Sequence, residues 1–134
     1  MGPLMFDTSV WIDFLNEKIN PKTTLLKKYI SGWLPHYLCP EIIREILQGI
    51  RDDKKYEALK TVLLSYDILV ADAVEANLGA AEIFRTLKKK GVTIRNVSDC
   101  MIGWYAIKHG IRIVHNDSDF DKISAHTHLK IHKV

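Results

Sequence analysis

Apolar residues along the chain fall into short unbroken runs separated by stripes of period near 3.6, a pattern that predicts strands feeding helices. The first run, Leu4-Met5-Phe6, has strand character and ends in Asp7. Thr8 or Ser9 then caps a helix over about 9–16, with Val10, Trp11, Phe14 and Leu15 on its buried side. Pro21 suits the first turn of a second helix, over about 21–31, which carries Leu25, Leu26, Tyr29 and Ile30 and is closed by Gly32. Pro35 interrupts the next run, so only His36 to Cys39 suits a short strand.

From Pro40 to Ile50 the stripe Ile42, Ile43, Ile46, Leu47 and Ile50 is helical, and Glu41, Glu45, Gln48 and Asp52 lie on the neighbouring face. Asp52 and Asp53 precede a helix over about 53–65 with Tyr56, Leu59, Val62 and Leu63 inward. Tyr66 to Val70 suits a short strand or an extended link. Asp72 and Glu75 have capping-box spacing at the start of a helix over about 72–90. Lys88, Lys89, Lys90 and Gly91 end it, where cations suit the negative end of the helix dipole better than they make a nucleic-acid patch.

Val92 to Val97 reads as a connection, and Ser98 caps a helix over about 99–109. Met101, Ile102, Trp104, Ala106 and Ile107 leave that helix apolar nearly all round, so it is buried on more than one side. Asp99 is thus a charge on the first turn of a buried helix. After Gly110, Ile111 to Val114 form a strand that runs into His115-Asn116-Asp117-Ser118-Asp119-Phe120, and Leu129 to His132 has the length of an edge strand.

The 134 residues suffice for one core, so a single domain over 1–134 is expected. Hydrophobic residues at 47% and charged residues at 26% exclude disordered and fibrous classes. A net charge of +3 permits a polyanionic partner without requiring one. Cys39 and Cys100 lie far apart in apolar stretches and read as buried thiols of a reducing compartment. No apolar stretch suits a membrane span or a signal peptide, so a cytoplasmic protein is expected. Trp11, Trp33 and Trp104 occupy core-like positions, and His126, His128 and His132 read as solvent-facing rather than as a metal cluster.

Parallel strands joined by helices place their carboxyl ends on one side of the sheet. Asp7, Asp117 and Asp119 each follow a strand, Asp99 begins a buried helix, and Glu45 sits beside a core stripe, with Glu41 one turn earlier as its competitor. Of the last two aspartates, Asp117 comes sooner after the strand and reads as the inner group. Carboxylates gathered in an interior repel one another unless a cation sits between them, and Mg²⁺ or Mn²⁺ is the natural partner of oxygen ligands. One or two such ions activate water and hold a phosphate. Thr8, Ser9 and Asn116 can add polar contacts to that phosphate, whereas His115 more readily satisfies a hydrogen bond. Arg44, Arg51, Lys54 and Lys55 are candidates for a surface that meets a phosphate backbone.

Four pieces in order, Phe6-Asp7-Thr8-Ser9-Val10-Trp11-Ile12-Asp13-Phe14-Leu15, Glu45-Ile46-Leu47-Gln48-Gly49, Asp99-Cys100-Met101-Ile102-Gly103 and Asn116-Asp117-Ser118-Asp119-Phe120, resemble the PIN domain, and within it the VapC ribonuclease toxins of type II toxin-antitoxin modules. The resemblance implies a three-layer α/β/α sandwich with a mainly parallel sheet and an acidic pocket of Asp7, Glu45, Asp99 and Asp117, with Asp119 as accessory. It implies Mg²⁺- or Mn²⁺-dependent cleavage of RNA, a homodimer, and inhibition by a small antitoxin through which operator DNA is bound. Gly49 matches the family position after the helical Glu and so favours Glu45, while His115 stands where many relatives carry Thr or Ser. Two other readings use the same pocket: a PIN-type nuclease of RNA processing or structured DNA, and a non-catalytic module that docks a partner's basic side chain.

Overall fold

A computed structural model describes residues 1–134. The order is β1 (Leu4–Phe6), α1 (Thr8–Leu15), α2 (Pro21–Ser31), β2 (His36–Leu38), α3 (Pro40–Gln48), α4 (Asp53–Leu64), β3 (Asp67–Ile68), α5 (Ala73–Lys89), α6 (Val97–His109), β4 (Arg112–Val114) and α7 (Ser118–His126). The four strands form one sheet in the order β3-β2-β1-β4, with every pair parallel. Met5 pairs with Tyr37 on one side and with Ile113 on the other. The chain therefore leaves β1 towards β2 and later returns to its opposite flank at β4, which makes the carboxyl end of β1 the switch point where open α/β sheets hold ligands.

β1 is buried throughout because helices cover both faces of the sheet, giving the three-layer α/β/α sandwich that the alternation of strands and helices leads one to expect. Leu4, Met5, Phe6, Leu38, Ile113 and Val114 form its middle, and Val10, Leu26, Ile42, Ile46, Leu87 and Ile102 come from the helices. α6 is the most enclosed helix: Asp99, Cys100, Ile102, Gly103, Tyr105 and Ala106 are all buried, and it packs on α3, α5 and α7. Close approach of α5 is possible because Gly79 faces Trp104, whose Nε1 lies 2.0 Å from where a Cβ would stand. Cys39 and Cys100 are free and buried, and burial pushes their thiols up to about 12 and about 11.

Several local expectations give way to the structure. Asp7 itself caps α1 by accepting from the Ser9 amide, in place of Thr8 or Ser9. Asn96 caps α6, so that helix starts at Val97, upstream of Ser98; Asn and Ser are equally good caps, and both occur within three residues. Residues 118–126, which carry no strong apolar stripe, form α7 behind the Asp117 cap. The tail is not an edge strand: it makes only an isolated parallel bridge from Ile131 to Ile113. Trp33 is 93% exposed on the α2–β2 turn, with φ +53°, rather than in the core. Val62 also faces outward, and Leu63 supplies the buried contact of α4.

Candidate active site

The carboxyl edge of the sheet brings the predicted acids together. Asp7 leaves β1 in an extended conformation with its carboxylate turned back on the first turn of α1, where the Ser9 hydroxyl donates to Oδ2 at 2.7 Å and the Ser9 amide at 3.2 Å. Thr8, one residue on, points the other way and donates from Oγ1 to Glu45 Oε1 at 2.7 Å. Asn96 Nδ2 donates to the other Glu45 oxygen at 3.2 Å. Glu45 is thus fixed between α1 and the start of α6, whereas Glu41 Oε1 is buried without a partner on the same helix. Of the two glutamates, Glu45 is the one that hydrogen-bonds groups of this edge.

Asp99, Asp117 and Asp119 form the centre, with a carboxylate oxygen from each within 4.8 Å of the others. Asp99 is buried, and its Oδ2 meets no hydrogen-bond partner. Burial, then the nearby charges of Asp7 and Asp117, push its carboxyl up to about 8. Burial also raises Asp7, more than its bonds to Ser9 lower it, and Glu45 adds to the rise.

Asp119 differs from these two. It is fully buried, yet its carboxyl lies below the ordinary value because the Arg95 backbone amide, at 3.1 Å, and Lys122 Nζ, at 3.3 Å, outweigh the effect of burial. It is the inner aspartate, and the half-exposed Asp117 is the outer one, the reverse of the order expected from distance along the chain. The reason is the α7 turn: Asp117 becomes the cap and accepts from the Asp119 amide at 3.0 Å, and the helix then carries Asp119 inward.

The polar neighbours hold the acids. Asn116 donates from its amide to Ser9 Oγ at 3.0 Å and from Nδ2 to Asp13 at 3.1 Å, and it accepts from Lys22 Nζ at 2.9 Å. His115 is buried; Nδ1 accepts from the Asp117 amide at 3.1 Å, so Nε2 carries the hydrogen and donates to Asp121 at 3.0 Å. Thr8, Ser9, Asn116 and His115 all stand at the site, and each has an acid or its backbone as a partner. Arg44, Arg51, Lys54 and Lys55 are exposed, and Arg44 donates to Ser98 Oγ at 3.0 Å beside the start of α6. No histidine joins the acidic cluster.

Arg95, Asn96, Lys22 and Lys122 are absent from the sequence-based set. Asn96 carried a readable signal as a cap before an apolar helix, but nothing in the pattern near Arg95 marks it as facing the acids.

The donor set is purely carboxylate oxygen, with one buried oxygen unpartnered and two carboxyl groups raised by burial and, after it, by neighbouring charge. Those features fit a hard divalent cation, which would remove both penalties. A parallel sheet that gathers five carboxylates at its switch point thus defines a class of α/β proteins with an acidic, cation-ready pocket. Comparison with known proteins narrows the class: the PIN domain model matches residues 4–125, and the chain belongs to the PIN domain family. Ribonuclease VapC11 of Mycobacterium tuberculosis is 33% identical over 129 residues, covering 95% of this chain and 96% of the relative, and a VapC ribonuclease of Mycobacterium bovis matches equally. Among solved structures, DNA-bound VapBC from Salmonella typhimurium has a TM-score of 0.76 at 18% identity and covers 98% of each chain. VapBC2 from Rickettsia felis, bound to a DNA fragment from its promoter, has a TM-score of 0.75 at 17% identity and the same coverage.

Proposed function

We propose that this chain is a metal-dependent endoribonuclease, the toxin of a VapBC-type toxin-antitoxin pair, folded as a single nuclease domain. The observation that carries the reading is the unpartnered, buried Asp99 Oδ2 at the centre of an acid cluster, in a chain whose relatives along nearly its whole length are named ribonucleases. Asp7, Asp99 and Asp117 would hold Mg²⁺ or Mn²⁺, with Glu45 and Asp119 beside them, and a second ion would join where a substrate phosphate supplies the missing charge. Such an ion lowers the pKa of a water ligand and neutralises charge on the phosphate.

The chain's own groups do the rest. Ser9 and Thr8 set the rotamers of Asp7 and Glu45, Asn96 holds the second Glu45 oxygen, and His115 fixes the turn that presents Asp117. In this reading Glu45 would take the proton of the attacking water. Because water is the nucleophile, the cut leaves phosphate and hydroxyl ends with no cyclic phosphate.

Partner surfaces fit the same reading. A cavity of about 600 Å³ between α1 and α2 is lined by Phe14, Leu15 and Ile19 together with Glu17, Lys18 and Lys27, and Ile12 is exposed beside it, which supports docking of an amphipathic antitoxin segment. Val74 and Leu78, exposed four residues apart on α5, support a homodimer. Operator DNA would reach this chain only through the antitoxin. No helix is long and apolar enough to cross a membrane, and we place the protein in the cytoplasm with its RNA.

The test is incubation of a mixed cellular RNA pool with the purified, antitoxin-free protein in Mg²⁺, in Mn²⁺ and in chelator, beside Asp7→Asn. Cutting that needs the ion and is lost in the variant supports the reading. A folded wild-type protein that cuts nothing in either ion overturns it.

A further inference from the structure

Two cations reach the acid cluster, and they are held differently. Lys122 Nζ takes Asp119 Oδ1 at 3.3 Å from within α7. Arg95 lies on the coil before α6, and its backbone amide donates to Asp119 Oδ2 at 3.1 Å. That bond tethers the Arg95 backbone to a fully buried carboxylate without using the guanidinium. The guanidinium is left to span the cluster, with Nη2 3.3 Å from Asp117 Oδ1 and Nε 3.6 Å from Asp119 Oδ2, on a side chain that is 75% exposed.

These distances exceed those of a tight guanidinium–carboxylate pair, at roughly 2.7–2.9 Å, and the guanidinium itself stays mostly in solvent, where such pairing is weak. Asp117 and Asp119 belong to the trio with Asp99 whose oxygens lie within 4.8 Å of one another. A divalent cation entering that trio would meet the guanidinium already beside two of its carboxylates and would compete with it for them by charge. Once displaced, Arg95 keeps its backbone tether, and its planar fork of donors is free at the rim, a geometry that matches phosphate oxygens.

We propose that Arg95 is a displaceable counter-charge, balancing Asp117 and Asp119 while the pocket is free of divalent ion and gripping a phosphate of the RNA strand once an ion has moved it aside. The proposal rests on the nuclease reading above and adds to it a positioning group from the chain itself. It also assigns Asp119 a distinct job, anchoring the Arg95 coil and Lys122 more than ligating an ion.

The experiment uses the whole protein in two arms. In the first, the Arg95 Nε–H signal of ¹⁵N-labelled wild type is followed through a Mg²⁺ titration, and Mn²⁺ affinity is measured by electron paramagnetic resonance for wild type and Arg95→Gln. The signal should move and exchange faster as Mg²⁺ saturates, and the variant should bind Mn²⁺ about two- to fivefold more tightly. In the second arm, binding of a labelled single-stranded RNA in Ca²⁺ should weaken in Arg95→Gln, its salt slope falling by about 0.7, the share of one phosphate contact. Arg95→Gln keeps the backbone amide that holds Asp119, so thermal melts should match wild type. Mn²⁺ uptake with an unmoved Arg95 signal, or unchanged RNA affinity and slope in the variant, overturns this proposal alone. A wild type that takes up no Mn²⁺ overturns the nuclease reading together with it.

Discussion

Thr8 and Glu45, 37 residues apart, are joined by a 2.7 Å hydrogen bond from the threonine hydroxyl to the glutamate carboxylate. The bond ties the first turn of α1 to α3 and is the ground for taking Glu45, rather than Glu41, into the proposed acid group. Thr8→Val should lower the RNA cleavage rate about tenfold, within the range seen when groups that orient a metal site are removed, and Glu45→Gln at least about 100-fold, as for loss of a general base. Glu41→Gln should leave the rate unchanged. Steady-state cleavage of one labelled RNA checks all three, and equal losses at Glu41 and Glu45 would contradict the assignment.

Asp99 makes the ion-free protein sensitive to pH. Its carboxyl sits at about 8 when folded against 3.8 as a free group, so the folded state keeps a proton that the unfolded chain releases across that interval. The contribution of this group is full below about pH 4 and is lost as pH rises towards 8. Asp99→Asn should flatten the slope, melting close to wild type near pH 4 and above it near pH 8 in chelator. Parallel curves at all pH values would show that Asp99 is not the cause.

Asp119 behaves in the opposite sense. Its folded pKa is depressed, so its contribution is present above the ordinary carboxylate range and lost as pH falls through the folded value. Asp119→Asn removes the buried charge that the exposed Lys122 and Arg95 face, and should cost about 1 kcal/mol near neutral pH and less at pH 3. Urea unfolding at the two pH values measures it. A smaller loss at neutral pH than that of Asp117→Asn would contradict the inner position of Asp119.

Gly79→Ala tests the α5–α6 seam. The added Cβ would stand 2.0 Å from Trp104 Nε1, so the indole must rotate or the helices part, at about 1–3 kcal/mol. Combining it with Trp104→Leu should restore much of the loss in a thermal melt. A variant as stable as wild type would show that the indole moves freely.

The parallel sheet and most of the acid set were legible in the sequence because both depend on local order. A carboxylate straight after a buried strand must emerge at the sheet edge, and the polar face of the Ile42–Ile46 stripe lies where Glu45 can look across to that edge. What escaped was set by tertiary partners. Whether Asp117 or Asp119 lies inside depends on the turn into α7, a helix with too few apolar residues to announce itself. Trp33 looked like core by its type, but the left-handed turn after Gly32 turns it outward. Arg95 is one of 19 basic residues, and only the folded coil brings it to the acids.

The central claim, that these carboxylates hold an ion that activates water against RNA, is tested most directly by the ends of the cut. A single end-labelled RNA is digested with purified protein in Mn²⁺ and in chelator, and the product termini are read by mass spectrometry. The account predicts cutting only with the ion, and fragments that carry phosphate and hydroxyl ends. Cutting in chelator, or 2′,3′-cyclic phosphate ends that mark attack by the neighbouring hydroxyl, would contradict it.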